Sequence, residues 1–250
     1  RPFKKIIAIS EAIRQVLLDH DVAAERIEVI RSAVNTEQFA AEPDCRQVRE
    51  DFGVPAGAFV IGAAGQLIPR KGHRFLLQAA AELKATHAPF RVIVFGEGYL
   101  NNQLRSQAAS LGLGDIVQFA GFRDDLDDYM GCIDLFVHPA TSEGLGVIAL
   151  KAAAAGVPVV GFAAGGLREA VVDQETGILV PPEDVGALRD AMATLMDDDE
   201  LRTALGEAGR KRMQNEFCTI ILFFLFFFFF FGFTTFNMDT TGLPLPLGTL

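Results

Sequence analysis

The chain has 250 residues, half of them hydrophobic, and carries a formal net charge of −10 at pH 7. This length is sufficient for one large domain or for two smaller domains with cores of their own. No run rich in Lys or Arg is present, which argues against nucleic acid as a partner, because binding to a phosphate backbone requires a basic surface. The three cysteines are scattered without C-x-x-C spacing, which fits a reducing compartment and offers no metal site.

The first forty residues predict a short α/β unit. An apolar strand at residues 6–9 leads into a helix that Ser10 caps, and a second strand at residues 27–34 precedes a turn at residues 35–39. The opening apolar stretch is short and no small-residue cleavage site follows it, so the sequence predicts no signal peptide here.

From about residue 58, apolar runs alternate regularly with helical patterns. Strands are predicted at residues 59–64, 91–95, 116–120, 133–137, 157–161 and 177–180, and helices at residues 72–86, 100–111, 126–132, 147–155, 167–172 and 185–196. Strands that are almost continuously apolar and alternate with helices indicate a parallel sheet covered on both faces. The predicted fold is a doubly wound, Rossmann-like α/β domain.

Residues 141–161 combine a carboxylate, a glycine turn, an Ala-rich helix and a strand. Glu143 stands just before a turn containing Gly144 and Gly146, through which the chain enters the helix. Backbone N–H groups at the positive end of a helix can hold a phosphate or diphosphate, and a carboxylate beside them can accept hydrogen bonds from sugar hydroxyls. An ordinary strand–helix–strand unit with a tight turn explains the spacing equally well.

Other loops that follow predicted strands also contain candidate ligand groups, because ligands of doubly wound sheets bind at the carboxyl ends of the strands. Arg70 and Lys71 are adjacent cations suited to a diphosphate, although a solvated turn before a helix explains them too. Gly96 and Gly98 frame a loop whose small residues permit close backbone approach, with a tight turn as the alternative.

Residues 141–161 resemble the signature of retaining glycosyltransferases of the two-domain GT-B type, the family "glycosyl transferases group 1". The family pattern has a Glu, seven residues and a second Glu, followed by the helix and a Gly-Val-Pro-Val-Val strand. Glu143 matches the first Glu, but Lys151 replaces the second, which in the family accepts hydrogen bonds from ribose hydroxyls. An ammonium group only donates, so it does not reproduce that contact.

The resemblance extends to the loop after the first strand of the large sheet. Family members have an Arg, four residues and a Lys-Gly pair that grips the phosphates of the donor. Lys71 and Gly72 match that pair, whereas Gln66 takes the place of the Arg and retains a hydrogen-bond donor. Arg70 is the cation that can compensate.

The resemblance implies a set of site residues, with Glu143 as the catalytic residue and no metal or organic cofactor. The implied donor-binding residues are Gln66, Arg70, Lys71, Gly96, Glu97, Gly98, Phe122, Arg123, Glu143, Gly144, Leu145, Gly146, Val147 and Lys151.

The function that the resemblance implies is transfer of a sugar from a UDP- or GDP-sugar to a hydroxyl of a glycan or lipid-linked acceptor, with retention. The expected setting is bacterial surface or exopolysaccharide synthesis, in the cytoplasm at the inner face of the membrane, with peripheral membrane association. Two alternatives stay open: a non-catalytic fragment that binds nucleotide-sugars, and a sugar-nucleotide epimerase of the same fold.

The expected domain organisation has three parts. Residues 1–40 are interpreted as a remnant of an N-terminal acceptor domain, residues 41–217 as the donor-binding domain, and residues 218–250 as a low-complexity tail that is foreign to the fold. The phenylalanine-rich run at residues 218–233 can also be a membrane anchor or a buried helix. Because most of the acceptor domain is missing in this interpretation, the chain alone is expected to be inactive.

Two further groups of residues are interpreted as structural. Four carboxylates at residues 124, 125, 127 and 128 suggest a metal, but acidic residues at a helix start are expected from capping and the helix dipole. The four histidines lack ligand spacing, and only His138 is singled out, because it closes a strand beside the Glu143 loop.

Overall fold

The computed structural model describes residues 5–41, 43–87 and 89–219. Within them, six parallel strands form one sheet and two form a smaller one. The strands are β1 (Ile6–Ala8), β2 (Ile27–Val29), β3 (Phe59–Ala64), β4 (Phe90–Phe95), β5 (Val117–Gly121), β6 (Leu135–His138), β7 (Val159–Phe162) and β8 (Gly177–Val180). The large sheet has the order β5-β4-β3-β6-β7-β8, and β1 pairs with β2.

The α-helices of the described residues mostly cover the faces of the large sheet. They are α1 (Glu11–Asp19), α2 (Cys45–Asp51), α3 (His73–Leu83), α4 (Asn101–Ser110), α5 (Leu126–Met130), α6 (Val147–Ala154), α7 (Leu167–Ala170), α8 (Val185–Asp197) and α9 (Asp199–Glu216). Several begin where the sequence provides a side-chain cap: Ser10, Asp184 and Asp198 accept hydrogen bonds from the backbone N–H three residues ahead.

The core lies on both faces of the large sheet, as the near-continuous apolar strands predict. In β3, Val60 and Ala64 belong to one buried cluster, whereas Ile61 and Ala63 belong to the other. Residues of α2, α6 and α9 complete the first cluster, and residues of α3, α4 and α8 complete the second. The doubly wound α/β fold is therefore confirmed.

The N-terminal unit is a small β-α-β element of its own, in which Ile6 pairs with Ile27. The predicted strand at residues 27–34 is too long, since regular pairing ends at Val29. Farther along, Val34 forms a parallel bridge with Cys218, just after α9. The end of α9 thus returns to the N-terminal unit.

A disulfide joins Cys45 at the start of α2 to Cys132 just after α5, with the two Cα atoms 5.3 Å apart. The scattered cysteines fit a reducing compartment from their spacing alone, and the disulfide contradicts that interpretation. The two residues are 87 positions apart, so their proximity depends on how α2 packs beside α5. Cys218 is a free, buried thiol.

The predicted tail lies almost entirely outside the described residues, so its three interpretations stay predictions. In the part of the chain that the structure describes, no helix combines the length and the apolar character needed to cross a bilayer.

Candidate functional site

A cavity of about 630 Å³ lies at the carboxyl ends of the central strands. The chain runs from β3 outward to β4 and β5, then returns to place β6, β7 and β8 on the other side of β3. The strand order therefore reverses between β3 and β6, and the loops after these two strands separate there. Such a switch point is where doubly wound sheets bind their ligands.

The loops after β3 and β4 form one wall of the cavity through direct backbone contact. The backbone N–H of Leu67 donates to the carbonyl of Glu97 over 2.8 Å, and Gly96 has a φ of 123°. A Cβ at Gly96 would overlap the carbonyl oxygen of Gly65. Only glycine allows this approach, which explains the glycine-framed loop that the sequence shows.

Glu143 is the centre of the polar network in the cavity. Its Oε2 lies 2.5 Å from Nζ of Lys71 and 2.9 Å from Nε2 of His138, while its Oε1 accepts from the N–H of Gly144 over 3.1 Å. Burial raises the pKa of Glu143, but the hydrogen bonds from His138 and Lys71 outweigh it and lower the pKa to about 2. The carboxylate is therefore ionised at neutral pH.

The N-terminus of α6 borders the same cavity. Gly146 is the N-cap, with a φ of 89°, and no side chain of the described residues caps the helix. Gly146, Val147 and Ile148 all line the cavity. A helix N-terminus beside a lysine is an electrostatically favourable place for an anion.

A second wall comes from the loop after β5. Phe122 lines the cavity, and 71% of its surface is exposed. Arg123 is held by Asp125 at 2.6 Å and by the hydroxyl of Tyr129. The hydrogen bond to Asp125 holds the pKa of Arg123 above its usual range.

Lys151 lies one turn beyond Val147 on α6 and is engaged by an acidic residue. Its Nζ is 2.9 Å from Oδ1 and 2.7 Å from Oδ2 of Asp127, and both side chains are about one-third exposed. Gln38 donates to the same carboxylate. Asp125 and Asp127, two of the four carboxylates considered for a metal, are thus occupied by cations.

The cavity wall includes every predicted donor-binding residue except Gly98, Gly144 and Lys151. His138, singled out from its position in the sequence, does contact Glu143. Sequence reasoning missed Ile9, which comes from the N-terminal unit. It also missed Leu126 and Ile148, because these apolar residues belong to no recognisable binding motif.

The sequence profile of "Glycosyl transferases group 1" matches residues 45–212, more than half of the chain. A similar relative is the GDP-mannose-dependent alpha-(1-6)-phosphatidylinositol monomannoside mannosyltransferase of Mycolicibacterium smegmatis, 34% identical over 194 residues. That match covers 74% of this chain and 50% of the relative.

Two solved structures show the fold. HepE of Anabaena, in complex with UDP and glucose, has a TM-score of 0.85 and 26% identity over 92% of this chain and 64% of its own. The C-terminal domain of a glycosyl transferase group 1 protein from Francisella tularensis has a TM-score of 0.67 and 26% identity. In that case 74% of this chain and 98% of the other are covered.

The sheet order, its switch-point cavity and these similarities define the class as the C-terminal half of a GT-B fold. The chain belongs to the glycosyl transferases group 1 family. It spans about half the length of the curated relatives it matches.

Proposed function

We propose that this chain provides the donor half of a retaining glycosyltransferase. The enzyme moves a sugar from a UDP- or GDP-sugar to a hydroxyl of a glycan or lipid-linked acceptor. The single observation that carries the proposal is the meeting of Lys71, Glu143 and the open N-terminus of α6 in one cavity at the switch point. The UDP bound to HepE supports the choice of ligand class.

In this proposal the bond between the anomeric carbon and the phosphate oxygen breaks, and the nucleoside diphosphate leaves with its electron pair. Lys71 and the N–H groups at the start of α6 stabilise the charge that develops on that leaving group. Arg70 and Gln66 also line the cavity and assist there. Glu143, held ionised, accepts hydrogen bonds from hydroxyls of the donor sugar.

In the same proposal, the remaining site residues contact the nucleotide. Phe122 and Arg123 lie beside the nucleobase, and Glu97 with the glycine loop borders the nucleotide. The oxygen of the acceptor hydroxyl forms the new bond to the anomeric carbon, and its proton passes to a general base that is not among the residues assigned here. We place the reaction in the synthesis of bacterial surface or exopolysaccharide, with peripheral attachment to the membrane.

Calorimetric titration with UDP, GDP and their sugars tests the donor site. We expect one nucleotide to bind, and Lys71→Met to weaken that binding at least about tenfold, since it removes a charge-assisted contact. Lys211→Met is the matched control, because Lys211 is exposed on α9, away from the cavity. Binding that is absent, or equal in both variants, would contradict the proposal.

A non-catalytic nucleotide-sugar-binding fragment is the second candidate, and the engagement of Lys151 with Asp127 favours it. At the position where the family has a Glu that accepts hydrogen bonds from ribose, this chain has a lysine in an ion pair. With the N-terminal domain of a full-length relative added, donor binding without release of nucleoside diphosphate on addition of acceptor would support the fragment. Release that depends on acceptor would support the transferase and would also exclude a sugar-nucleotide epimerase.

A further inference from the structure

Glu169, on α7, caps a helix that lies far from it in sequence. Its Oε2 accepts from the backbone N–H of Glu11 over 3.0 Å, and its Oε1 accepts from that of Ala12 over 2.9 Å. These are the first two residues of α1, and Arg31 pairs with the same carboxylate at 3.3 Å. Helix N-terminal N–H groups favour a negative charge, so Glu169 stabilises α1 by both hydrogen bonding and charge.

Ser10 connects the same helix end to the loop that contains Glu143. Its fully buried hydroxyl donates to the carbonyl of Gly144 over 2.5 Å and accepts from the N–H of Ile13 over 3.0 Å. The residue before it, Ile9, lines the donor cavity. The position of α1 therefore determines part of the cavity wall.

The loop that leads into α7 is also bound to the Glu143 loop. The N–H of Gly166 donates to the backbone carbonyl of Glu143 over 2.9 Å. On the other side of α7, Arg212 of α9 donates to the carbonyls of Glu169 and Ala170 at 2.8 and 2.9 Å. Glu169 thus sits where α1, the Glu143 loop and α9 meet.

We propose that Glu169 is a positioning residue that fixes the N-terminal β-α-β unit on the Glu143 loop and so closes the donor cavity with Ile9. The carboxylate suits this role because it accepts from three donors among the described residues, namely two backbone N–H groups and the Arg31 guanidinium. An amide in its place would offer one acceptor oxygen and no charge. The consequence for nucleotide binding rests on the proposed function, whereas the attachment of α1 does not.

Hydrogen exchange on the full chain without ligand tests the attachment directly. In Glu169→Gln we expect amides at residues 11–13 and 141–146 to exchange about tenfold faster, because a charge-assisted cap is lost. Ser10→Ala should accelerate the same two segments. Glu175→Gln removes the same charge from an exposed turn and should change neither. Unchanged exchange in Glu169→Gln would overturn the proposal.

Nucleotide titration tests the consequence for the cavity. Glu169→Gln should weaken binding of UDP or GDP several-fold under conditions in which urea unfolding shows that the variant is still folded. Ile9→Ala, which removes wall surface but no cap, should weaken binding and leave exchange at residues 11–13 unchanged. If the parent binds nucleotide and Glu169→Gln binds equally well, the positioning role is wrong. If the parent binds none, the proposed function is wrong and the exchange result still decides the attachment.

Discussion

The ammonium of Lys71 contacts the carboxylate of Glu143 at 2.5 Å, although 72 positions separate them in the chain. His138 shares the same carboxylate oxygen. Both donors are largely buried with Glu143, so the charge on this carboxylate is stabilised by the fold rather than by water.

The first prediction concerns the stability of the fold in acid. The pKa of Glu143 is lowered from 4.5 to about 2 in the folded chain. A lowered folded-state pKa contributes stability that is fully present above the unfolded value and is lost as the pH falls through the folded one. Between about pH 4.5 and about pH 2, Glu143→Gln should therefore lose less stability than the parent, by on the order of 2 kcal/mol.

Urea unfolding followed across that pH range measures the difference. Glu175→Gln serves as the control for removing one exposed carboxylate, and it should retain the acid dependence of the parent. Equal acid dependence in Glu143→Gln and the parent would show that the Lys71 and His138 contacts do not stabilise the ionised form.

The second prediction concerns the ion pair between Lys151 and Asp127. Lys151→Glu places two carboxylates where the structure has a contact of 2.7 Å, and should lower the free energy of unfolding by about 1 kcal/mol. Adding Asp127→Asn should restore most of that loss. Because the double variant restores the carboxylate that the family resemblance assigns to ribose, we also expect it to bind nucleotide about tenfold more tightly than the parent.

Denaturation curves and calorimetric titrations of four proteins complete a double-mutant cycle: the parent, the two single variants and the double variant. The cycle measures how far the two substitutions interact. Asp127→Asn alone should bind nucleotide no better than the parent. If it does bind better, release of Lys151, and not a carboxylate at that position, would be the cause.

Sequence reasoning succeeds for features that are local along the chain. Strand 59–64 and the start of the first helix were predictable because the apolar pattern and the Ser10 cap depend on neighbouring residues only. The location of Lys71 and Glu143 at one edge of the sheet was predictable, because both follow parallel strands whose carboxyl ends meet there. Their direct contact also requires β3 and β6 to be neighbours, which the structure shows and the sequence did not.

Contacts between distant elements could not be inferred in the same way. The sequence shows that Ser10 caps α1, but nothing local indicates that Glu169 completes the cap or that Ile9 reaches the cavity. Lys151 was recognised as a departure from the family, yet its partner Asp127 lies on another helix. Each of these contacts depends on the packing of elements that are far apart in the sequence.

The third prediction concerns Gly72, which lies beside Lys71. It separates the backbone strain of a substitution there from the steric clash that the added Cβ would cause. Gly72 has a φ of 69°, and a Cβ there would overlap the carbonyl oxygen of Pro139. Gly57 has a φ of 74°, and a Cβ added to it would have no neighbour within 4 Å, so Gly57→Ala should cost about 1 kcal/mol from backbone strain alone. Gly72→Ala should cost about 3 kcal/mol or more and should weaken nucleotide binding, since the clash displaces the loop that contains Lys71.

Thermal and urea unfolding of the two variants measure these penalties side by side. Similar losses for Gly57→Ala and Gly72→Ala would mean that the loop moves away from Pro139 without difficulty. Normal nucleotide binding by Gly72→Ala would show that the placement of Lys71 does not depend on this close approach.

The fourth prediction concerns the disulfide between Cys45 and Cys132. A crosslink that closes a loop of 87 residues restricts the unfolded chain, so its reduction should lower the free energy of unfolding by about 2–4 kcal/mol. Urea unfolding with and without a dithiol reductant measures this loss.

Cys45→Ser should match the reduced parent and should not respond to reductant, whereas Cys218→Ser, which removes the free thiol, should respond as the parent does. Alkylation in denaturant without reductant should label one cysteine of the parent; labelling of all three would show that the bond is absent and that the cysteine spacing was interpreted correctly.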